Sequence, residues 1–245
     1  MKLVPIAPLS ASVFVALVFS GCGLEEASKR PEPTRFLTST GVDTRSTIER
    51  LPFEHAWRDP DMKIADYKYI VVRPVTTAFL NKDQWEQSKS AFVPDEKTYM
   101  KRCSELARYF TKSLNKAFSD PICVFYKTTD TSRPGTLILE VALTEVRFDS
   151  TVRVDPEAAP DGNVSGLLTG LPICTFEARV TDARTGALLT TASDRRVPEI
   201  KVIDQEKTPG AVPNERICDE WSRQLMEASN IEIFPTVKRS WFSIF

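Results

Sequence analysis

The chain has 245 residues, with 32 basic and 33 acidic side chains for a formal net charge of −1. There is no cationic surplus to neutralise a phosphate backbone, so nucleic-acid binding lacks its main energetic term. A single histidine, His55, restricts any Ser-His-Asp or Cys-His catalysis to one position.

The first residues carry Lys2, then an apolar run from Leu3 to Phe19 interrupted by Pro5 and Pro8, then Ser20, Gly21 and Cys22. That order is the charged, apolar and small-residue succession of a secretory signal. A membrane span needs about 20 apolar residues, and this run is shorter. Phe19-Ser20-Gly21-Cys22 resembles the lipobox of bacterial lipoproteins, although Phe19 stands where leucine is commoner. The resemblance implies a signal peptide over residues 1–21 and lipid attachment at Cys22, with palmitate among the acyl chains. Gly23 in place of aspartate favours the outer membrane, facing the periplasm.

Residues 22–48 form the lipidated terminus and a polar, proline-bearing stretch expected to be a flexible tether, with a coil reach of roughly 25 to 30 Å. A single domain is expected over residues 49–235, followed by an aromatic tail, Trp241-Phe242-Ser243-Ile244-Phe245, over residues 236–245. The tail either docks on the domain or offers apolar surface to a partner.

Lys68 to Arg73 is a near-continuous apolar run stopping at Pro74, expected as the first strand and buried on both faces. A long helix should follow, since Tyr99, Cys103, Leu106, Phe110, Leu114 and Ala117 recur at three- or four-residue steps after Pro94, Asp95 and Glu96. Ile122 to Tyr126 is a candidate strand, giving a strand, helix and strand that form a parallel crossover. Leu137 to Leu143 alternates, while Val146 and Phe148 resume out of phase, which predicts a long strand with a bulge.

Phe176, Ala178 and Val180 alternate with polar residues, and Asp182 to Gly186 is a turn leading into a strand at Ala187 to Ala192. A last helix is predicted from Asn214 to Ser229, burying Ile217, Trp221 and Leu225. The fold expected is α/β (α+β): a small mixed sheet of about four or five strands, one long helix after the first strand and a second near the carboxy terminus.

Cys103, Cys123, Cys174 and Cys218 would sit in an oxidising compartment, so up to two disulfides can form, in any of several pairings. Their apolar neighbours also suit buried thiols. They are separated singletons, which suits zinc poorly. Asp59 and Asp61 flank Pro60 and read as a turn rather than a metal site. Gly162, Gly166 and Gly170 lie among Leu167, Leu168 and Leu171 within a proline-enclosed insertion, where exposed leucines would contact another envelope component. No cofactor motif or catalytic signature occurs.

Trp57-Arg58-Asp59-Pro60 with Asp66-Tyr67, Leu137 to Thr144, Glu177 to Gly186 and Trp221 resemble a family of uncharacterised bacterial lipoproteins classed as a domain of unknown function. The resemblance covers most of residues 50–230 and transfers no catalytic residue. In element order the chain also looks like the amino-terminal domain of TolB. Together these features lead to the expectation of a non-catalytic, lipid-anchored periplasmic interaction module whose partner is another envelope protein. A carrier of a small apolar or lipid ligand is the alternative, and an enzyme using His55 stands third.

Overall fold

A computed structural model describes residues 32–42, 48, 51–81, 84–87, 93, 95–123, 126–148, 151–153, 167–169, 173–197 and 213–229. The signal peptide, Cys22, Leu171 and the aromatic tail lie outside the described residues.

In chain order come a helical turn α1 (Arg35–Thr38), strand β1 (His55–Arg58), a 3-10 turn (Ile64–Asp66), β2 (Tyr69–Val72) and a short helix α2 (Gln84–Gln87). The long helix α3 (Glu96–Phe118) is followed by β3 (Lys127–Thr128), β4 (Thr136–Arg147), β5 (Thr151–Arg153) and β6 (Leu167–Thr169). Then follow β7 (Ile173–Asp182), β8 (Leu188–Arg196) and the helix α4 (Pro213–Ser229). Six strands form one mixed sheet in the order β1-β8-β7-β4-β2-β3, while β5 and β6 make a separate two-stranded ribbon.

The sheet is therefore wider than the four or five strands expected. Tyr69–Val72 is its second strand, because the short polar-flanked His55–Arg58 pairs antiparallel with β8 at the edge. A four-residue edge strand carries too little periodicity to announce itself. The crossover does form, since β2 runs parallel to both β3 and β4. Its return strand is Lys127–Thr128 rather than the apolar run before it, and Ile122 stands 70% exposed.

Alternation along β4 explains the two layers. Leu137, Leu139, Val141 and Leu143 point into the main core, while Ala142 packs on the opposite face with Phe36 and Leu37. The register slips between Leu143 and Glu145. One extra residue at Thr144 reverses the phase, which returns Val146 to the core side opposite Cys174. The out-of-phase pattern in the sequence thus marks a real bulge.

Asp95 caps α3, its carboxylate accepting from the Thr98 backbone N–H at 2.7 Å. The predicted stripe is buried from Tyr99 to Leu114, with Ala107 and Phe118 added to it and Ala117 only partly buried. On α4, Trp221 is fully buried with its ring 4.7 Å from Phe176 and 6.0 Å from Phe110. Each of these aromatics contributes on the order of 2 to 3 kcal/mol through burial. The indole Nε1 donates to Asp194 Oδ2 at 2.7 Å, and Arg196 Nε donates to the same oxygen at 2.9 Å. The two helices are joined at their outer edge, where Tyr109 and Ser113 hydroxyls donate to Asp219 at 2.8 and 2.6 Å.

Gly135, before β4, has φ +72, and a Cβ there would meet the Asp66 carbonyl oxygen at 2.8 Å. Only glycine fits where the turn into β4 presses against the turn before β2. The hairpin expected at Asp182 is present: its carboxylate accepts from the Arg184 and Thr185 backbone N–H groups, and Gly186 closes the turn at φ +71.

Trp221→Phe keeps an aromatic ring, though a smaller one, and removes the donor to a buried carboxylate, so it should cost at least about 1 to 3 kcal/mol. Urea unfolding followed by circular dichroism measures this; a loss below a few tenths would show that the Asp194 hydrogen bond is dispensable.

Candidate functional site

Both helices cover one face of the sheet, and α1 sits on the other. Thr34 caps α1 with its own side chain, accepting from Phe36 N at 3.1 Å. The same residue donates its backbone N–H and its hydroxyl to the two carboxylate oxygens of Glu177, each at 2.6 Å. Phe36 and Leu37 are buried against Ala142 and Phe79. Arg179 lies 4.5 Å from the Phe36 ring centroid, donates to the Phe36 carbonyl and pairs with Glu140 at 2.8 Å.

Part of the stretch expected as free tether is thus fixed to the body. The sequence disguised this because four residues are too few for helical periodicity, and the anchoring depends on sheet residues far along the chain.

Glu177 is 2% exposed, and burial pushes its carboxyl pKa above the ordinary 4.5, opposed by the bonds from Thr34. A raised acid pKa in the folded state means stability present below pH 4.5 is lost as the pH climbs through the raised value. Glu177→Gln should accordingly flatten this decline relative to the parent protein, seen in urea midpoints measured from pH 4 to pH 7. An identical pH dependence in both proteins would overturn it.

Beside this face, β4, β7 and β8 carry a second ionic cluster. Glu145 pairs with Arg195 at 2.8 Å and with Arg147 at 3.5 Å, and accepts the Thr175 hydroxyl at 2.9 Å. His55 belongs to the same side of the sheet, opposite Ser193 on β8, and is 7% exposed. It is a packed strand residue at the sheet edge. Asp59 accepts from the Asp61 backbone N–H at 2.9 Å, the turn expected around Pro60.

The helix layer presents the most distinctive open surface. Lys97, Lys101, Arg108, Lys112 and Lys116 are exposed along α3, against Glu96 and Glu105. Lys101 has Glu105 at 4.0 Å, while Arg108 and Lys112 have no carboxylate partner among the described residues. Arg108 and Ser104 also form one wall of an open groove of about 450 Å3 whose other wall is Pro74 to Thr77. The β2 chain end holds that wall in place: Val75 N donates to the Thr111 hydroxyl at 2.9 Å, and Thr76 bridges in parallel to Ala142. In sequence the cations were visible, but an amphipathic helix ordinarily has a charged outer face, so nothing singled them out.

A second space, an apolar cavity of about 50 Å3, lies between the helix ends and the sheet, lined by Leu51, Phe53, Phe118, Tyr126, Leu139 and Leu225 among others. A ligand carrier would need a few hundred Å3. The four body cysteines are buried and free, so the disulfides left open by the sequence are not formed in this structure. Burial pushes the Cys103 thiol up to about 12. Leu167 and Leu168 lie on β6, whose backbone pairs with β5; their side chains, and Leu171, lie outside the described residues.

A mixed six-stranded sheet with two helices on one face and an amino-terminal helical turn latched to the other defines a two-layer α+β domain. The chain belongs to the family described as protein of unknown function DUF3313, whose model matches residues 52–225. No curated protein matches it.

Among solved structures, the PelC dodecamer from Paraburkholderia phytofirmans is 11% identical, covering 73% of this chain and 96% of that one, with a TM-score of 0.35. A DUF330 protein from Xanthomonas campestris is 11% identical over 68% of this chain and 89% of that one, with a TM-score of 0.34. A hypothetical protein from Chlamydia trachomatis is 9% identical over 67% of this chain and 96% of that one, at 0.33. None of these neighbours is TolB-like, the likeness expected from element order. Order along the chain does not specify order across the sheet, and many folds share the former.

Proposed function

We propose that this protein is a lipid-anchored, non-catalytic interaction module of the bacterial envelope, acylated at Cys22, which meets an acidic surface of another envelope protein through the outer face of α3. The observation that carries this reading is the segregation of charge. A chain of net charge −1 concentrates Lys97, Lys101, Arg108, Lys112 and Lys116 on one helix. A predominantly basic surface of this kind, interrupted by Glu105, steers association with an oppositely charged partner.

The position of α1 supports a protein partner over the anchoring leaflet. From Cys22 to Thr34 the chain can span at most roughly 40 Å even if fully extended. It joins the body on the sheet face opposite α3. The helix layer then looks away from the attachment, toward the periplasm. The Leu167, Leu168 and Leu171 segment is a second candidate contact of the same module, since apolar side chains add area at the centre of an interface. Carriage of an apolar ligand has less support, because the cavity is several times too small.

Arg108→Glu combined with Lys112→Glu should lower capture of the partner by the lipidated protein tenfold or more, with the thermal midpoint unchanged. Raised ionic strength should mimic the loss. Cys22→Ser should move the protein from membrane to soluble fractions. Partner capture indifferent to both charge reversal and salt would overturn the α3 contact, and an uncut, unlipidated chain in the cytosol would overturn the anchor.

A further inference from the structure

Three of the four body cysteines converge on one place in the core. Cys103 on α3, Cys174 on β7 and Cys218 on α4 are each fully buried. The Cys174 thiol lies close enough to those of Cys218 and Cys103 to help raise the pKa of each.

This meeting is imposed by how α4 lies along β7. At one end Asn214 Nδ2 donates to the Arg147 carbonyl at 3.1 Å, and Arg147 is paired with Ile173. At the other, Arg58 donates to the Ala228 carbonyl at 3.2 Å, and Arg58 is paired with Thr190 opposite Val180. Helix and strand therefore run in the same direction, with Trp221 seated on Phe176 between those ends. Cys218 precedes Trp221 by a helical step of roughly 4.5 Å. Cys174 precedes Phe176 by a strand step of roughly 6.6 Å on the same face. The two sulfurs arrive together because the offsets nearly match.

Cys123 is elsewhere. Its thiol faces the Tyr126 carbonyl at 3.8 Å, and the Tyr126 hydroxyl donates to Ser229 at 3.5 Å. Ser229 ends α4, roughly 16 Å along the helix axis from Cys218. No pairing scheme that uses all four cysteines fits this geometry, since a disulfide holds its two Cα atoms within about 7 Å.

We propose that Cys174 and Cys218 form a disulfide when the chain folds under oxidising conditions, and that Cys103 and Cys123 stay as thiols. The oxidant is an external disulfide, either glutathione disulfide or the active disulfide of a thiol oxidoreductase. One cysteine thiolate attacks it and expels one external thiolate. The second cysteine then attacks the mixed disulfide, forming the Cys174–Cys218 bond and releasing the other external thiol. The external disulfide ends as two thiols, which take up the two cysteine protons.

Burial raises the Cys218 thiol pKa well above its usual value, so exchange belongs to the folding chain before α4 docks. Once formed, the bond ties α4 to the central sheet by a covalent loop that encloses β8. The inference concerns sulfur chemistry and stands apart from the proposed partner, so either can fail alone.

The test uses the full chain carrying Cys22→Ser, unfolded and reduced, then refolded in a buffer of oxidised and reduced glutathione. Remaining thiols are alkylated, and the peptides are mapped by mass spectrometry. The expected result is one linked pair of peptides containing Cys174 and Cys218, with Cys103 and Cys123 alkylated. Cys103→Ala should keep the link and Cys218→Ala should abolish it. The oxidised protein should show an unfolded fraction about a hundredfold smaller than the reduced one in denaturant. Four alkylated body cysteines in protein with native near-ultraviolet dichroism would overturn the proposal, as would a Cys103–Cys174 link. Both readouts on the parent sequence remain decisive if a variant fails to fold.

Discussion

A carboxylate at Asp194, only 5% exposed, sits under α4 on the same sheet face as the apolar core. A charge taken from water into such surroundings is tolerated only if it is paired and hydrogen-bonded. Trp221 and Arg196 supply those bonds, and Arg196 continues outward to Glu220 at 2.8 Å and to the Gln224 side-chain oxygen at 2.8 Å. The indole can reach Asp194 only when its ring lies against Phe176 and Phe110. Satisfying one buried charge thus fixes the rotation and axial position of α4, and with them the contacts of α3, the burial of the thiols and the outward presentation of the basic stripe.

The opposite face of the sheet is governed by a different balance. It carries Glu140, Glu145, Glu177, Arg179 and Arg195, side chains that a solvated antiparallel face would ordinarily leave in water. Thr34 and α1 exclude water from part of this face, and ion pairs at 2.8 Å compensate the charges left there. Glu177 is satisfied by a backbone N–H and a hydroxyl, not by a cation, so its proton equilibrium reports whether the amino-terminal segment is seated. A segment expected to lead to a membrane anchor is in this way mechanically continuous with the central strand pair β4 and β7.

These two faces give the domain a polarity. The amino-terminal helical turn is seated on one side, and an open groove walled by Arg108 lies on the other. Between them the core holds a small apolar cavity of about 50 Å3 near the helix ends.

Much of the architecture was legible in the sequence, since alternation along Leu137 to Leu143, the phase change at Val146 and the helical stripe from Tyr99 to Leu114 follow directly from the periods of strand and helix. The turn at Asp182 and the burial of Trp221 are equally local. What tertiary structure alone decided rests on pairing between distant residues. The edge strand His55–Arg58 exists because β8 is beside it. Thr34 finds Glu177 across more than half the chain, and the meeting of Cys174 with Cys218 depends on the direction in which α4 crosses the sheet. Local chemistry sets the period of each element; only the closed sheet and its packed helices set which faces meet, because that choice is made by summed burial over the whole core.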